Sequence, residues 1–98
     1  MYGIRENLYN DIINTLKNFG IIKVIIFGSR ARGDYKVNSD IDLAVIFNNN
    51  EKDNFIKLQT KLEELNTLYK FDIVDFKSVK DDKFKKEIEK DGIIIYEK

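Results

Sequence analysis

Two apolar runs, IIKVIIF at residues 21–27 and IDLAVIF at residues 41–47, constrain the fold of this chain more than any other feature. Both are short and rich in β-branched residues; Gly20 and Gly28 bound the first, and the polar stretch NNNEKDN (48–54) follows the second. They read as buried strands rather than helices. Around them, Ile4, Leu8, Ile12, Leu16 and Phe19 fall at helical spacing before Gly20, and Phe55, Leu58, Leu62, Leu65 and Leu68 mark a second amphipathic helix. FDIVDF (71–76) predicts a third strand, KSVKDDKFKKEIEKDG (77–92) a polar helix closed by Gly92, and IIIYE (93–97) a terminal apolar run. The order α-β-β-α-β-α-β predicts one α/β or α+β sheet with helices packed against it, the middle strands being the most buried. Residues 1–98 are expected to form a single domain, with no repeat, low-complexity tract or internal linker.

Composition narrows the chemistry more than the fold. At 43% hydrophobic and 35% charged residues the chain is expected to be globular rather than disordered. Seventeen basic residues balance 17 acidic ones, so no global positive field argues for a nucleic-acid partner. Cysteine and histidine are both absent. That excludes disulfides, thiolate metal sites, Ser-His-Asp and Cys-His catalysis, and histidine-ligated metals. Any catalysis within this chain rests on carboxylates, hydroxyls, Lys and Arg. The N-terminal MYGIRENLYN resembles no signal peptide and no apolar run reaches the roughly 20 residues of a membrane span, so a cytoplasmic location without membrane association is expected.

The segment between and into the two central strands, GSRARGDYKVNSDIDLAV (28–45), carries the chemistry. Gly28 and Gly33 are spaced as in half of a Walker A loop, but Asp34 and Tyr35 stand where that motif needs Lys and a hydroxyl. A strand followed by Gly28-Ser29 and a short helix can still hold phosphate oxygens on backbone N–H groups and a hydroxyl. Gly28 permits close approach, and Arg30, Arg32 or both can add charge-assisted contacts. Asp40 and Asp42 are two apart at the head of a strand, so the pleat sends both carboxylates to one face. Oxygen-only ligands suit Mg²⁺ or Mn²⁺ and a two-metal mechanism. A third carboxylate is expected from FDIVDF, where Asp72 and Asp75 lie on opposite faces; Asp72, between Phe71 and Ile73 in a run that reads as buried, is the first choice and Asp75 the alternative.

Each feature also has a plainer reading. Gly28-Ser29 can be a strand-to-helix turn with Ser29 as N-cap, the arginines solvated cations, and Lys77–Lys90 a solvated helix face. An EF-hand count from Asp40 reaches Glu51 at its twelfth position but fails, with Val45 at the glycine position and Ala44 at a ligand position. The conjunction of features in one window outweighs the plain readings of its parts.

That conjunction resembles the minimal nucleotidyltransferases of the DNA polymerase β-like superfamily. Gly28-Ser29 is followed by ten residues, Arg30 to Ser39, and then by Asp40-Ile41-Asp42 between apolar positions, with a later carboxylate strand. The resemblance implies an α+β (α/β sandwich), polymerase β-like fold with a small mixed sheet. It also implies that Ser29 grips nucleotide phosphate, that Asp40 and Asp42 bind two Mg²⁺ ions, and that Asp72 completes the metal site as base for the incoming hydroxyl. The implied reaction moves AMP from ATP to a hydroxyl and releases pyrophosphate. In resembling proteins of this size the partner is a helical HEPN toxin encoded nearby, adenylylated on a Tyr, and the nucleotidyltransferase is the antitoxin. The expected function is therefore antitoxin by protein adenylylation, with a homo-oligomer as another source of acceptor surface. A binding-only antitoxin with an idle nucleotide site, and transfer to RNA or a small molecule, are the alternatives.

Overall fold

The structure, a computed structural model, describes residues 1–48, 52–65 and 67–98. Asn49, Asn50 and Glu51 of the expected polar loop lie outside the described residues. The elements run α1 (Glu6–Leu16), β1 (Ile21–Phe27), α2 (Ser29–Arg32), β2 (Ile41–Phe47), α3 (Lys52–Glu63), β3 (Phe71–Asp75), a 3₁₀ turn (Phe76–Ser78), α4 (Asp82–Asp91) and β4 (Ile93–Glu97). The strands form one sheet in the order β3-β2-β1-β4. β1 pairs antiparallel with β2 and β4, while β2 and β3 run parallel, so the sheet is mixed.

Alternation divides the sheet into two unlike faces. Val24, Ile26, Leu43, Val45 and Ile73 point to one side, where they form a continuous core with Ile12 and Leu16 of α1 and Leu58 and Leu62 of α3. The other face carries a smaller cluster, Phe27, Ala44 and Ile88 of α4, with Phe84 edge-on to Phe27 at 5.9 Å between ring centres. On that second face β2 and β3 present Asp42 and Asp72.

The middle strands are the most buried, as their sequences lead one to expect: in β2 only Asp42 and Ile46 are not fully buried. The terminal run does become a strand, but at an edge, with Ile93 and Ile94 exposed. The polar helix expected from residue 77 starts only at Asp82. Residues 76–78 turn instead as 3₁₀, and Asp81 caps α4 by accepting from the backbone N–H groups of Lys83 (3.0 Å) and Phe84 (3.3 Å). Gly92 closes that helix at a φ of −69°, so left-handed geometry is not the reason for glycine here. A Cβ at Gly92 would strike the Ile88 carbonyl oxygen and Ile25, and glycine lets β4 leave the helix directly onto β1.

Candidate active site

The turn after β1 exists because of one glycine. Gly28 has φ 73° and ψ −154°, a region closed to residues with a side chain, and it stands as the N-cap of α2. A Cβ there would also collide with Oδ2 of Asp42. The carboxylate of β2 therefore lies directly against the backbone of the Gly28-Ser29 turn, as the antiparallel pairing of Phe27 with Asp42 requires. Ser29 is the first residue of α2 rather than its N-cap, and it makes no side-chain cap. The single turn is closed by Arg32 N–H donating to Gly28 O (3.1 Å) and Gly33 N–H to Ser29 O (2.9 Å).

Register brings the carboxylates together. Asp42 and Asp72 are direct neighbours across the parallel β2–β3 pair and point to the same face. Asp40 precedes β2 with the same parity. The Asp42 carboxyl is pushed up to about 6, first by burial and then by repulsion from Asp72 and Asp40, with Arg30 and Arg32 pulling weakly the other way. Asp75 sits on the opposite face beside Val45, at the N-cap position of the 3₁₀ turn, where its carboxylate accepts from the Ser78 hydroxyl at 3.0 Å. The premise that Asp72 is buried is corrected: Asp72 is exposed, and only Phe71 and Ile73, facing the core, are buried.

Among the described residues no three acidic side chains are gathered closely enough to hold a metal ion together. The donor set nevertheless fits a divalent cation. It consists of carboxylate oxygens alone, and after burial the neighbouring Asp72 and Asp40 carboxylates contribute to raising Asp42, a repulsion that a divalent cation would relieve.

Arg30, expected to hold phosphate, does something else. It is buried (2% exposed), donating to Ser39 O at 2.8 Å and Tyr2 O at 3.0 Å, with its guanidinium over the rings of Tyr69 (4.7 Å) and Tyr35 (5.2 Å). Its donors are used in fastening the 33–40 loop to the N-terminus, so it is unavailable to a nucleotide. Arg32 is the arginine on the site's side. It is half exposed, ion-paired to Asp34 (3.3 Å) and Asp91 (3.9 Å), and it lines a cleft of about 490 Å³ with Gly28, Phe27, Phe84 and Lys90. The roles of Tyr2, Tyr35 and Tyr69 around Arg30 had no sequence signal, because three distant segments meet there. α4 as one wall of the cleft was equally silent, since its polar residues read as a solvated face.

Residues 10–98 match the family model described as polymerase beta, nucleotidyltransferase, and the chain belongs to that family. The fold expected from the motif is thereby borne out. A protein of Methanocaldococcus jannaschii assigned as a protein adenylyltransferase is 33% identical over 79 residues, which cover 79% of each chain. Among solved structures, a minimal nucleotidyltransferase superposes with a TM-score of 0.72 at 27% identity, covering 90% of this chain and 92% of that one. A toxin–antitoxin crystal structure with AMP-PNP superposes with a TM-score of 0.72 at 26% identity, covering 91% of this chain and 73% of its match. No helix among the described residues is long and apolar enough to cross a membrane.

Proposed function

We propose that this nucleotidyltransferase uses Mg²⁺ to move AMP from ATP onto a hydroxyl of a paired protein, a Tyr of a HEPN-type helical toxin, and so acts as an antitoxin. The observation that carries the reading is the stacking of Asp42 over Gly28 on one side and beside Asp72 on the other. It sets a glycine turn suited to phosphate beside two carboxylates on one sheet face. The 26% identity to an AMP-PNP-bound toxin–antitoxin structure and the 33% identity to an assigned protein adenylyltransferase support the substrate and acceptor classes.

In this reading the Gly28-Ser29 turn and the Ser29 hydroxyl hold the triphosphate, and Arg32 takes the phosphate contact first given to Arg30. Asp40, Asp42 and Asp72 hold the divalent ions, which would supply charge neutralisation at the α-phosphate and the leaving group. Asp72, which is exposed, accepts the proton of the incoming hydroxyl. The acceptor oxygen bonds to the α-phosphorus, the bond to the bridging oxygen breaks, and pyrophosphate leaves opposite the acceptor.

The reading is tested by mixing the protein with Mg²⁺, α-labelled ATP and the product of the adjoining gene, with Asp40→Ala/Asp42→Ala as control. Label on the acceptor that disappears in the control is expected. A stable complex without label would replace the enzyme by a binding-only antitoxin.

A further inference from the structure

We propose that Lys90, in the last turn of α4, is a second cationic contact to the leaving pyrophosphate, in the cleft that α4 shares with Arg32 and the Gly28 turn. The inference deepens the transferase reading above and rests on it. The cleft, about 490 Å³, has Gly28 and Arg32 on one side and Glu87, Lys90 and Asp91 of α4 on the other.

Strand register sets this cleft beside the carboxylates. Phe27, in its lining, is the direct cross-strand partner of Asp42 and shares its sheet face with α4. On the other side of β1, Ile26 pairs with Ile93, the first residue of β4, and α4 ends two positions earlier at Asp91. The end of α4 is therefore level with Gly28, one strand away. The 3.9 Å between Arg32 Nη1 and Asp91 Oδ2 records the same approach from the side chains.

The direction of the reaction selects the occupant. Across the sheet the strands lie in the order β3, β2, β1, β4, so Asp72 and the Gly28 turn flank Asp42 on opposite sides. With Asp72 taking the acceptor's proton, in-line displacement sends the leaving group toward β1 and the end of α4. The acceptor oxygen bonds to the α-phosphorus, and the bond to the bridging oxygen breaks with its electron pair on pyrophosphate. That new charge develops on the Gly28 side of Asp42, where Arg32 is already shared between Asp34 and Asp91.

Lys90 supplies the charge that Arg32 alone lacks. It is exposed, and among the described residues it has no ion-pair partner. The carbonyl end of a helix repels phosphate; here the Gly92 N–H takes up the Ile88 carbonyl at 2.7 Å, and Lys90 is the basic residue of the last turn. Phe27 is buried and Phe84 packs edge-on against it, so the aromatic rings floor the cleft and the charged side chains form its rim. Asp91 competes with phosphate for Arg32, so its removal acts in the opposite sense from removal of Lys90.

The test reads binding as well as turnover. Labelled ATP with Mg²⁺ is titrated onto the purified protein and displaced by inorganic pyrophosphate, for the wild type and for Lys90→Met, Lys90→Arg, Lys86→Met and Asp91→Asn. Lys86 is an exposed cation of the same helix that does not line the cleft, so its variant controls for the loss of one charge. Lys90→Met is expected to raise the dissociation constants of both ATP and pyrophosphate about 10-fold, with most of the loss restored by Lys90→Arg and none seen in Lys86→Met. Asp91→Asn should tighten both about 3-fold. Wild-type pyrophosphate affinity in Lys90→Met, or an equal loss in Lys86→Met, would overturn the contact, while retained transfer to the adjoining gene's product would leave the transferase intact. Weaker ATP binding with pyrophosphate unaltered would put Lys90 on the nucleoside and overturn the contact as well. Failure of the wild-type protein to bind ATP at all would remove the transferase reading, and this contact with it.

Discussion

The two faces of β2 show how one strand serves both stability and chemistry. Toward α1 and α3 it presents Ile41, Leu43, Val45 and Phe47, all buried in the main core. Toward α4 it presents Asp42, then Ala44, and that face is left open at the end where Asp42 meets Gly28 and Asp72. The covered face holds the strand in place, and the open face keeps carboxylates close together at an electrostatic cost. A small domain can carry such strain only if the other side is well packed.

The largest effects on stability should come from the covered face and from the buried arginine. Leu58→Ala opens a cavity in the main core and is expected to cost about 2–5 kcal/mol in urea unfolding. Arg30→Met strands the carbonyls of Ser39 and Tyr2 and is expected to cost about 3 kcal/mol, with slower transfer following from the loosened 33–40 loop. Arg32→Met sharpens the contrast between two arginines two residues apart. Its ion pairs are exposed, so the melting temperature should hardly move, while the KM for ATP rises about 10-fold.

A smaller effect has the opposite sign. Asp42 has a folded pKa of about 6 against an ordinary 3.8, so its native state binds a proton more tightly than its unfolded state. Its contribution favours folding at low pH and is lost as pH rises from about 4 through 6. Asp42→Asn should therefore raise the melting temperature modestly at pH 8, with the gain shrinking toward pH 4, and Mg²⁺ should stabilise the wild-type protein more than this variant. A melting temperature lowered at pH 8 would show that the open face is not under electrostatic strain.

Much of this arrangement was legible in the sequence because it depends on local periodicity. IIKVIIF and IDLAVIF read as the central strands, and the two-residue spacing of Asp40 and Asp42 put them on one face before any pairing was known. Distinguishing Asp72 from Asp75 needed more, since parity separates them but only the parallel register with β2 says which one joins Asp42. Arg30 was misassigned for a related reason. Its place in a glycine-rich phosphate turn suggested a ligand contact, whereas its burial depends on Tyr2 and Tyr69, more than 25 positions away on either side. Local pattern reveals which face a residue occupies; it does not reveal what distant segment waits there. The start of the last helix was missed differently: Asp81 satisfies two backbone donors, a capping signal that the lysine-rich run around it obscured.

The most direct measurement of the central claim compares three single carboxylate variants, Asp42→Asn, Asp72→Asn and Asp75→Asn, in one assay of Mg²⁺-dependent transfer from α-labelled ATP under saturating acceptor. The open-face site predicts losses of about 100-fold or more for the first two and nearly full activity for Asp75→Asn, which changes only the acceptor of the Ser78 hydroxyl. Full activity in Asp72→Asn with loss in Asp75→Asn would contradict it, placing the working carboxylate on the covered face.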